Sequence, residues 1–325
     1  MSANSSSTLH AIRDAGQLTC NLCGGGAELH LRGFPTVVRC RQCGLLSLAE
    51  FPDRQVREAG YQESYYREED GERFFAPFEW ALGALKKLRM RAIVRRVRGP
   101  GSILDVGCGR GDLIELFRKA GWRVLGTQIS RTAAEAARRR RGVDVVVGEL
   151  PELTLPESRF DVITFFHVLE HLDRPEAYLR RAHDLLADDG LLVVEVPDCD
   201  GPGFRLLGLK SLCLDYPHHL VFFTPRSLEG LLERTGFRVE ALSRFSVEYS
   251  PYTTLQNLIN VLPGSPNRLY RAFMRNAEGA TFRKSPWTII HAILAVVLAA
   301  PAFLASLSSL ILPTGNTMRF YCRKR

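Results

Sequence analysis

From residue 102 onward the chain alternates short apolar runs with longer amphipathic stretches. SILDVG (102–107), WRVLGTQ (122–128), VDVVVG (143–148), FDVITFF (160–166) and LLVVEVP (191–197) predict strands. Between them, DLIELFRKAG, RTAAEAARRRR and RPEAYLRRAHDLLADDG predict helices. Strands that are apolar throughout and separated by helices predict a parallel sheet covered on both faces, an α/β fold. FRVEALSRFSVE (237–248) predicts a sixth strand, and TMRFYCRKR a short last one. Upstream, Phe74, Phe75, Phe78, Trp80, Ala81, Leu85, Leu88, Ile93 and Val97 recur at near-helical spacing over 71–98, and Gly99-Pro100-Gly101 ends that helix. The Ser-rich, polar residues 1–19 predict a disordered tail, and 287–312 is an uncharged apolar run. No internal repeat interrupts this plan.

Composition narrows the class. With 325 residues, 46% hydrophobic and 24% charged, the chain can bury a core and is not intrinsically disordered. The net charge of +8 is concentrated in Arg91/Arg95/Arg96/Arg98, in 138–141 and in the closing Arg323-Lys324-Arg325. Such runs are most often solvated helix faces, although an anionic partner remains open. Eight cysteines are too few for a disulfide scaffold, and the first residues hold no apolar leader, so reduced thiols in a cytoplasmic protein are expected.

Four of those cysteines form two pairs, Cys20-x2-Cys23 and Cys40-x2-Cys43, separated by sixteen residues. That is the spacing of a zinc ribbon over 20–50, in which each tight turn offers two sulfurs to one tetrahedral ion. Gly24-Gly25-Gly26 and Gly44 supply the backbone freedom such turns need. Four thiolates leave no open position, so the Zn²⁺ would be structural. The alternative is four free buried cysteines. Few basic residues accompany the module, which fits a lid or docking element better than a nucleic-acid binder.

The strand SILDVG ends in Asp105 and runs into Gly107-x-Gly109-x-Gly111 and then a helix. Glycines there let backbone N–H groups approach a ligand closely. The spacing is GxGxG, not the GxGxxG of dinucleotide folds. Together LDVGCGRG, GELPELTLPESRFDVITFFHVLEHLDRP and DDGLLVVEVP closely resemble the class I S-adenosylmethionine-dependent methyltransferases. The nearest groups are the ubiquinone-biosynthesis O-methyltransferase-like enzymes and the sugar C-methyltransferases, and the resemblance spans about residues 100–248. It implies a Rossmann-like seven-stranded sheet with S-adenosylmethionine across the carboxyl ends of the first strands. Asp105, Gly107, Cys108, Gly109 and Gly111 would hold its methionine end, Glu149 and Leu150 the adenine, and Phe166 and His167 would flank it. The family carries an acid at the end of the second strand; here Gln128 stands there. An amide still bonds ribose hydroxyls, but losing the charged acceptor weakens binding by about 1–2 kcal/mol.

His167-Val-Leu-Glu170-His171 follows the fourth strand, with its three polar groups on one side of a turn. Ubiquinone-type enzymes and small-RNA 3′-end 2′-O-methyltransferases carry Glu-x-x-Glu-His at the matching place, and the RNA enzymes add a later histidine, matched by His219-Leu-Val-Phe-Phe-Thr224. The resemblance therefore implies a second divalent ion on His167, Glu170, His171 and His219, of a softer kind than Mg²⁺. Two alternatives remain open: His219 or His167 acts as a general base, or the cluster only holds the loop. Tyr65 and Tyr66 are either a lid or a surface aromatic pair.

The expected function is methyl transfer to an oxygen or carbon of a small or lipid-linked acceptor, of quinol, sugar or secondary-metabolite type. An RNA 2′-O-methyltransferase and a non-catalytic scaffold are the alternatives, and the lack of an aromatic–basic stacking motif disfavours nucleic acid. The expected layout is a tail (1–19), the ribbon (20–50), a lid segment and helix (51–100) and a methyltransferase domain (101–325) with a helical insertion at 250–315. Within that insertion, the 26 residues 287–312 would reach about 39 Å as one helix. Pro301 divides them into 14 and 11 residues, and basic residues flank both ends (Arg283, Lys284; Arg319, Arg323). If 317–325 closes the sheet, a single crossing is forbidden. A hairpin dipping into one leaflet is expected, which would make the protein peripheral on the inner, anionic face of a membrane. Packing against the protein or a second subunit is the alternative.

Overall fold

A computed structural model describes residues 18–53, 56, 76–155, 159–262, 266–273, 281, 284–312 and 314–325. Tyr65, Tyr66 and most of the expected tail and lid segment lie outside the described residues. The chain starts with β1 (Ala27–Leu31), β2 (Val37–Cys40) and β3 (Leu46–Leu48), followed by helix α1 (Ala76–Val94). Next come β4 (Ser102–Val106), α2 (Asp112–Lys119), β5 (Arg123–Gln128), α3 (Arg131–Arg141), β6 (Val145–Val147), β7 (Phe160–Phe166), α4 (Pro175–Leu185) and β8 (Leu186–Pro197). The remainder runs α5 (Pro202–Leu207), β9 (Val221–Phe222), α6 (Pro225–Arg234), β10 (Phe237–Ser243), α7 (Ser250–Asn260), α8 (Arg268–Phe273), α9 (Pro286–Leu307) and β11 (Thr317–Lys324).

Local sequence accounts for the helices around the sheet. α2 turns Leu113, Ile114 and Phe117 inward, while Asp112 and Glu115 sit in its first turn and Arg118 and Lys119 in its last. α3 buries four alanines, is capped by Ser130 on the Ala133 N–H, and stops at Gly142, whose φ is 59°. The four arginines of its last turn complement the helix dipole there.

Seven strands form one sheet in the order β10-β11-β8-β7-β4-β5-β6. β6, β5, β4, β7 and β8 are parallel, and β11 lies antiparallel between β8 and β10. The order reverses between β4 and β7, so the crevice outside their carboxyl ends is where such a sheet binds ligands. Register brings Asp105 beside Gly126 and Phe166 beside Glu195 at that end. The seven-stranded sheet and its closing C-terminal strand are as expected. β8 begins five residues earlier than the sequence pattern predicts, because Leu186 is drawn into the core as the parallel partner of Phe160. β10 ends at Ser243, where its ladder with β11 runs out, rather than continuing to 248.

The N-terminal strands are joined to this domain rather than appended to it. β1, β2 and β3 make an antiparallel sheet whose fourth strand is β9. Their apolar residues Val37, Leu45, Leu46 and Leu48 share one core with Leu104, Phe165, Val194 and Phe222.

The apolar run is a correction. It does not turn back at Pro301: 286–307 is one helix with Pro301 inside it. Proline removes a single rung of the hydrogen-bond ladder. Thr288 and His291 before it and Ala302 and Ser306 after it are buried along one side, and packing on α7 keeps both halves on one axis.

Gly126 in β5 shows how closely the glycine loop lies on the sheet. A Cβ there would stand 2.5 Å from the Cys108 Sγ and 3.1 Å from the Ile114 Cδ1. Gly126→Ala should lower the urea unfolding free energy by about 1–3 kcal/mol. Adding Cys108→Ala should recover much of that loss, since the sulfur is the nearest atom; strictly additive losses in the double variant would refute this packing.

Candidate active site

The loop after β4 is held in the left-handed region at Gly107 (φ 68°), Gly109 (φ 57°) and Gly111 (φ 74°). A Cβ on Gly107 would lie 2.6 Å from the Val168 Cγ2, and one on Gly111 2.7 Å from the Val143 Cγ2, so conformation and space both demand glycine. The Cys108 N–H donates to the Thr127 carbonyl at 3.0 Å and ties the loop to β5. Lys86 and Arg141 reach Asp112 at 2.5 and 2.7 Å and fix the start of α2. Burial opposes ionisation of Asp112, but Lys86, Arg110 and Arg141 bring its carboxyl down to about 2. Asp105 is buried beneath the loop and accepts a bond from the Thr164 hydroxyl at 2.6 Å. Burial pushes its carboxyl up to about 6, against that bond.

Around the loop stand the other groups expected to hold a cofactor. The Gln128 Oε1 accepts from the Ile129 N–H at 2.8 Å, folding the side chain onto its own backbone. Glu149 follows β6 with Arg174 4.0 Å away, and the Leu150 side chain is fully buried. Phe166 ends β7, and His167 follows with a positive φ of 55°, rare outside glycine.

That strained turn places His167 inside a buried charge cluster. Its Nδ1 lies 3.1 Å from Glu170 and its Nε2 3.3 Å from Glu195. Glu195, fully buried on β8, also binds Arg319 from β11 and lies 3.5 Å from Arg89 of α1. Arg89 in turn meets Glu248 at 2.5 Å and lies 4.0 Å above the Phe166 ring. Three cationic side chains thus meet three carboxyl groups. Burial alone would raise the Glu195 carboxyl, yet Arg319 and Arg89 hold it far below the ordinary range. Burial likewise disfavours the His167 imidazolium, but Glu170 and Glu195 keep it up at about 9. His167 is therefore a proton donor at neutral pH.

Glu170, His171 and His219 form a second constellation. One atom from each lies within 4.8 Å of the others. The His171 Nδ1 faces the His218 carbonyl at 3.0 Å and the His219 Nδ1 the Cys213 carbonyl at 2.6 Å. A carbonyl oxygen only accepts, so each of these Nδ1 atoms carries a proton. Burial, reinforced by His219, lowers His171 to about 4, so its ring is neutral at pH 7. The Glu170 Oε2 is buried without a hydrogen-bond partner. A carboxylate and two imidazole rings grouped this closely are a donor set that could hold a divalent cation. His167, expected in the same ligand set, instead pairs with the other Glu170 oxygen.

The cysteines converge as well. Cys20 and Cys43 Sγ lie 3.7 Å apart, Cys23 and Cys40 Sγ 3.5 Å, and all four within 4.8 Å. Four sulfurs around a tetrahedral ion at about 2.3 Å would stand roughly 3.8 Å apart, so the set fits zinc. Gly24 and Gly44, at φ 70° and 71°, close the two knuckles by donating to the Cys20 and Cys40 carbonyls.

Residues 79–242 match the methyltransferase domain family. The chain belongs to that family. A Mycolicibacterium smegmatis protein named as a probable S-adenosylmethionine-dependent methyltransferase is 31% identical over 42% of this chain and 52% of its own length. The chain thus spans about half of that relative. A ubiquinone biosynthesis O-methyltransferase of Xanthomonas axonopodis is 27% identical over 53% of this chain and 76% of the relative. Among solved structures, an S-adenosylmethionine-dependent methyltransferase from Archaeoglobus fulgidus is 20% identical, with a TM-score of 0.47 over 74% of this chain and 94% of that one.

In this methyltransferase-family chain, the residues that sequence reasoning missed are Arg89, Glu195, Glu248 and Arg319. A signal for two of them was present: Glu195 and Arg319 are lone charges within apolar strands, LLVVEVP and TMRFYC. A charge in a buried strand needs a partner. The partner's identity was not readable, since Arg89 lies 106 residues from Glu195.

The His167 ring carries a pH signature. Its folded value of about 9 exceeds the ordinary 6.5. The stability it contributes is therefore complete below about pH 6.5 and lost as pH rises through about 9. His167→Gln should lower the melting temperature by several degrees at mildly acidic pH, since each kcal/mol shifts it by roughly 2–4 °C in chains of about this size. The gap from wild type should close above about pH 9; a gap constant across that range would show that the ring does not titrate there.

Proposed function

We propose that the chain transfers a methyl group from S-adenosylmethionine to an oxygen or carbon atom of a small organic acceptor. The observation that carries this reading is the left-handed glycine loop at the β4–β7 switch point, with Glu170 and His171 after β7 grouped with His219 before β9. S-adenosylmethionine supplies an already electrophilic methyl group, so the protein's work is alignment in a dry pocket. In this reading Asp105, Gly107, Cys108, Gly109 and Gly111 hold the methionine end. Gln128 takes a ribose hydroxyl, Glu149 and the Leu150 backbone border the adenine, and Phe166 with the protonated His167 flanks the site. Glu170, His171 and His219 border the acceptor, where they would take its proton or hold a divalent cation, which when bound would acidify an acceptor hydroxyl. The relatives named for ubiquinone biosynthesis support an oxygen acceptor of quinol type.

Calorimetry with S-adenosylhomocysteine tests the cofactor half. Wild type should bind at micromolar strength, and Gln128→Glu should bind about tenfold tighter, the equivalent of restoring about 1–2 kcal/mol of charged hydrogen bonding. No binding by wild type would overturn the reading. Labelled S-adenosylmethionine incubated with cell extract and the enzyme, followed by mass spectrometry, should reveal the acceptor. Glu170→Ala and His219→Ala should then slow turnover by roughly 10²-fold with cofactor affinity unchanged.

We further read the four cysteines as a structural zinc site at the edge of the same domain. Purified protein should carry one zinc per chain, and Cys40→Ser should lose it along with several degrees of melting temperature. Full stability of metal-free protein would refute the site.

A further inference from the structure

Helix α9 is built inside out. A helix on a water-soluble domain turns its apolar stripe to the core and its polar residues to solvent. In α9 the buried positions are Thr288, His291, Ala302 and Ser306. The outward ones are Ile289, Ile293, Val296, Val297, Phe303 and Leu304, with Val296 79% exposed. At 100° per residue these six fall within an arc of about 120°, opposite the buried set. The surface beneath is polar too. α7 buries Ser250, Thr253, Gln256, Asn257 and Asn260. There the Gln256 Nε2 donates to Asn260 at 2.8 Å, and the Asn260 Nδ2 donates to Asn267 at 2.8 Å. Polar side chains are turned inward there, some bonded to one another, and large apolar side chains are left outside. Helices that meet lipid pack through small and polar residues in this way.

The surrounding charges say what covers the face. No Asp, Glu, Lys or Arg occurs from 285 to 318, so the stripe offers nothing for a charged protein surface to pair with. Immediately upstream stand Arg268, Arg271, Arg275, Arg283 and Lys284 against one acid, Glu278. Trp287, about half exposed, sits where the basic segment meets the apolar one, the place tryptophan occupies at a membrane–water boundary. Beyond the helix, Leu310, Ile311 and Leu312 form an uncharged end, with Ile311 88% exposed. Both termini of the segment return to the domain: Ser285 accepts from Arg268 at 2.9 Å, and 317–324 closes the sheet. Protein covers one side of α9 from Thr288 to Ser306, which excludes a lone span with lipid on every side.

We propose that α9 and the 310–312 end form a monotopic seat by which the protein lies on an anionic lipid bilayer, outward stripe in the acyl region and Lys284, just before the helix, at the headgroups. The inference stands apart from methyl transfer, and S-adenosylhomocysteine binding reports on that reading separately.

Flotation of the full chain with phosphatidylcholine vesicles, with and without phosphatidylglycerol, decides it. Wild type should float with the anionic vesicles and much less with the neutral ones. Ile293→Glu with Val296→Glu should abolish flotation while circular dichroism and S-adenosylhomocysteine affinity stay as in wild type. Ile311→Asp, at an exposed position, should weaken flotation even if the double variant misfolds. Wild type that remains unbound and monomeric without detergent would overturn the proposal. So would a dimer in light scattering that the glutamates dissociate and that ignores vesicles, since the occupant would then be a second copy of the chain.

Discussion

A carboxylate buried on a central strand has to be neutralised where it stands, and Glu195 sets that condition for the whole site. Stripping such a group of water costs several kcal/mol unless partners replace the lost hydration. The partners come from three separate parts of the chain: Arg89 from the helix before the sheet, Arg319 from the last strand and His167 from the turn after β7, while Glu248 completes the pairing of Arg89. Replacing the set by apolar residues need not weaken the fold, but removing one member leaves an unpaired buried charge, at roughly 3–5 kcal/mol. The cluster therefore specifies an arrangement more than it adds stability. It seats the N-terminal helix and the C-terminal strand against the carboxyl ends of β7 and β8, and it holds His167 in a conformation few residues adopt.

The four-cysteine module connects to the same place by backbone hydrogen bonds. The Leu48 N–H donates to the Leu220 carbonyl, and the Leu220 N–H donates to the Glu170 carbonyl, at 2.9 and 2.8 Å. These bonds run from β3 through Leu220, the residue after His219, to the main-chain carbonyl of Glu170. His219 and Glu170 come from segments 49 residues apart, and these bonds set their spacing. The four-cysteine module thus shares its core with the sheet that carries the candidate site.

At the opposite extreme is α9, where the usual sorting of polar and apolar residues is reversed. The same hydrophobic effect that places Leu104, Phe165 and Val194 in the core would oppose leaving Val296 and Ile311 in water. On the proposed bilayer seat, an apolar phase outside the protein would remove the conflict. The uncharged sequence from 285 to 318 and the polar interface beneath it then become two consequences of one environment.

Much of this architecture could be read from local pattern. Strand and helix periods depend on neighbours a few residues apart, so the order of elements, the glycine loop and the two cysteine knuckles were legible without coordinates. Pattern was weakest where several segments share one interaction. That the apolar run is one helix follows from packing on α7 along both sides of Pro301, which the proline alone argued against. That His167 is a protonated partner of Glu195 rather than a companion of His171 and His219 depends on groups from β8 and β11 that sequence spacing does not relate. By itself the sequence determined which elements form and which chemistry they can carry, because those depend on short-range sterics and side-chain type. Only the tertiary structure decided which charges meet, because burial and Coulomb energy depend on distance in space, and residues 106 or 124 positions apart are hydrogen-bonded here.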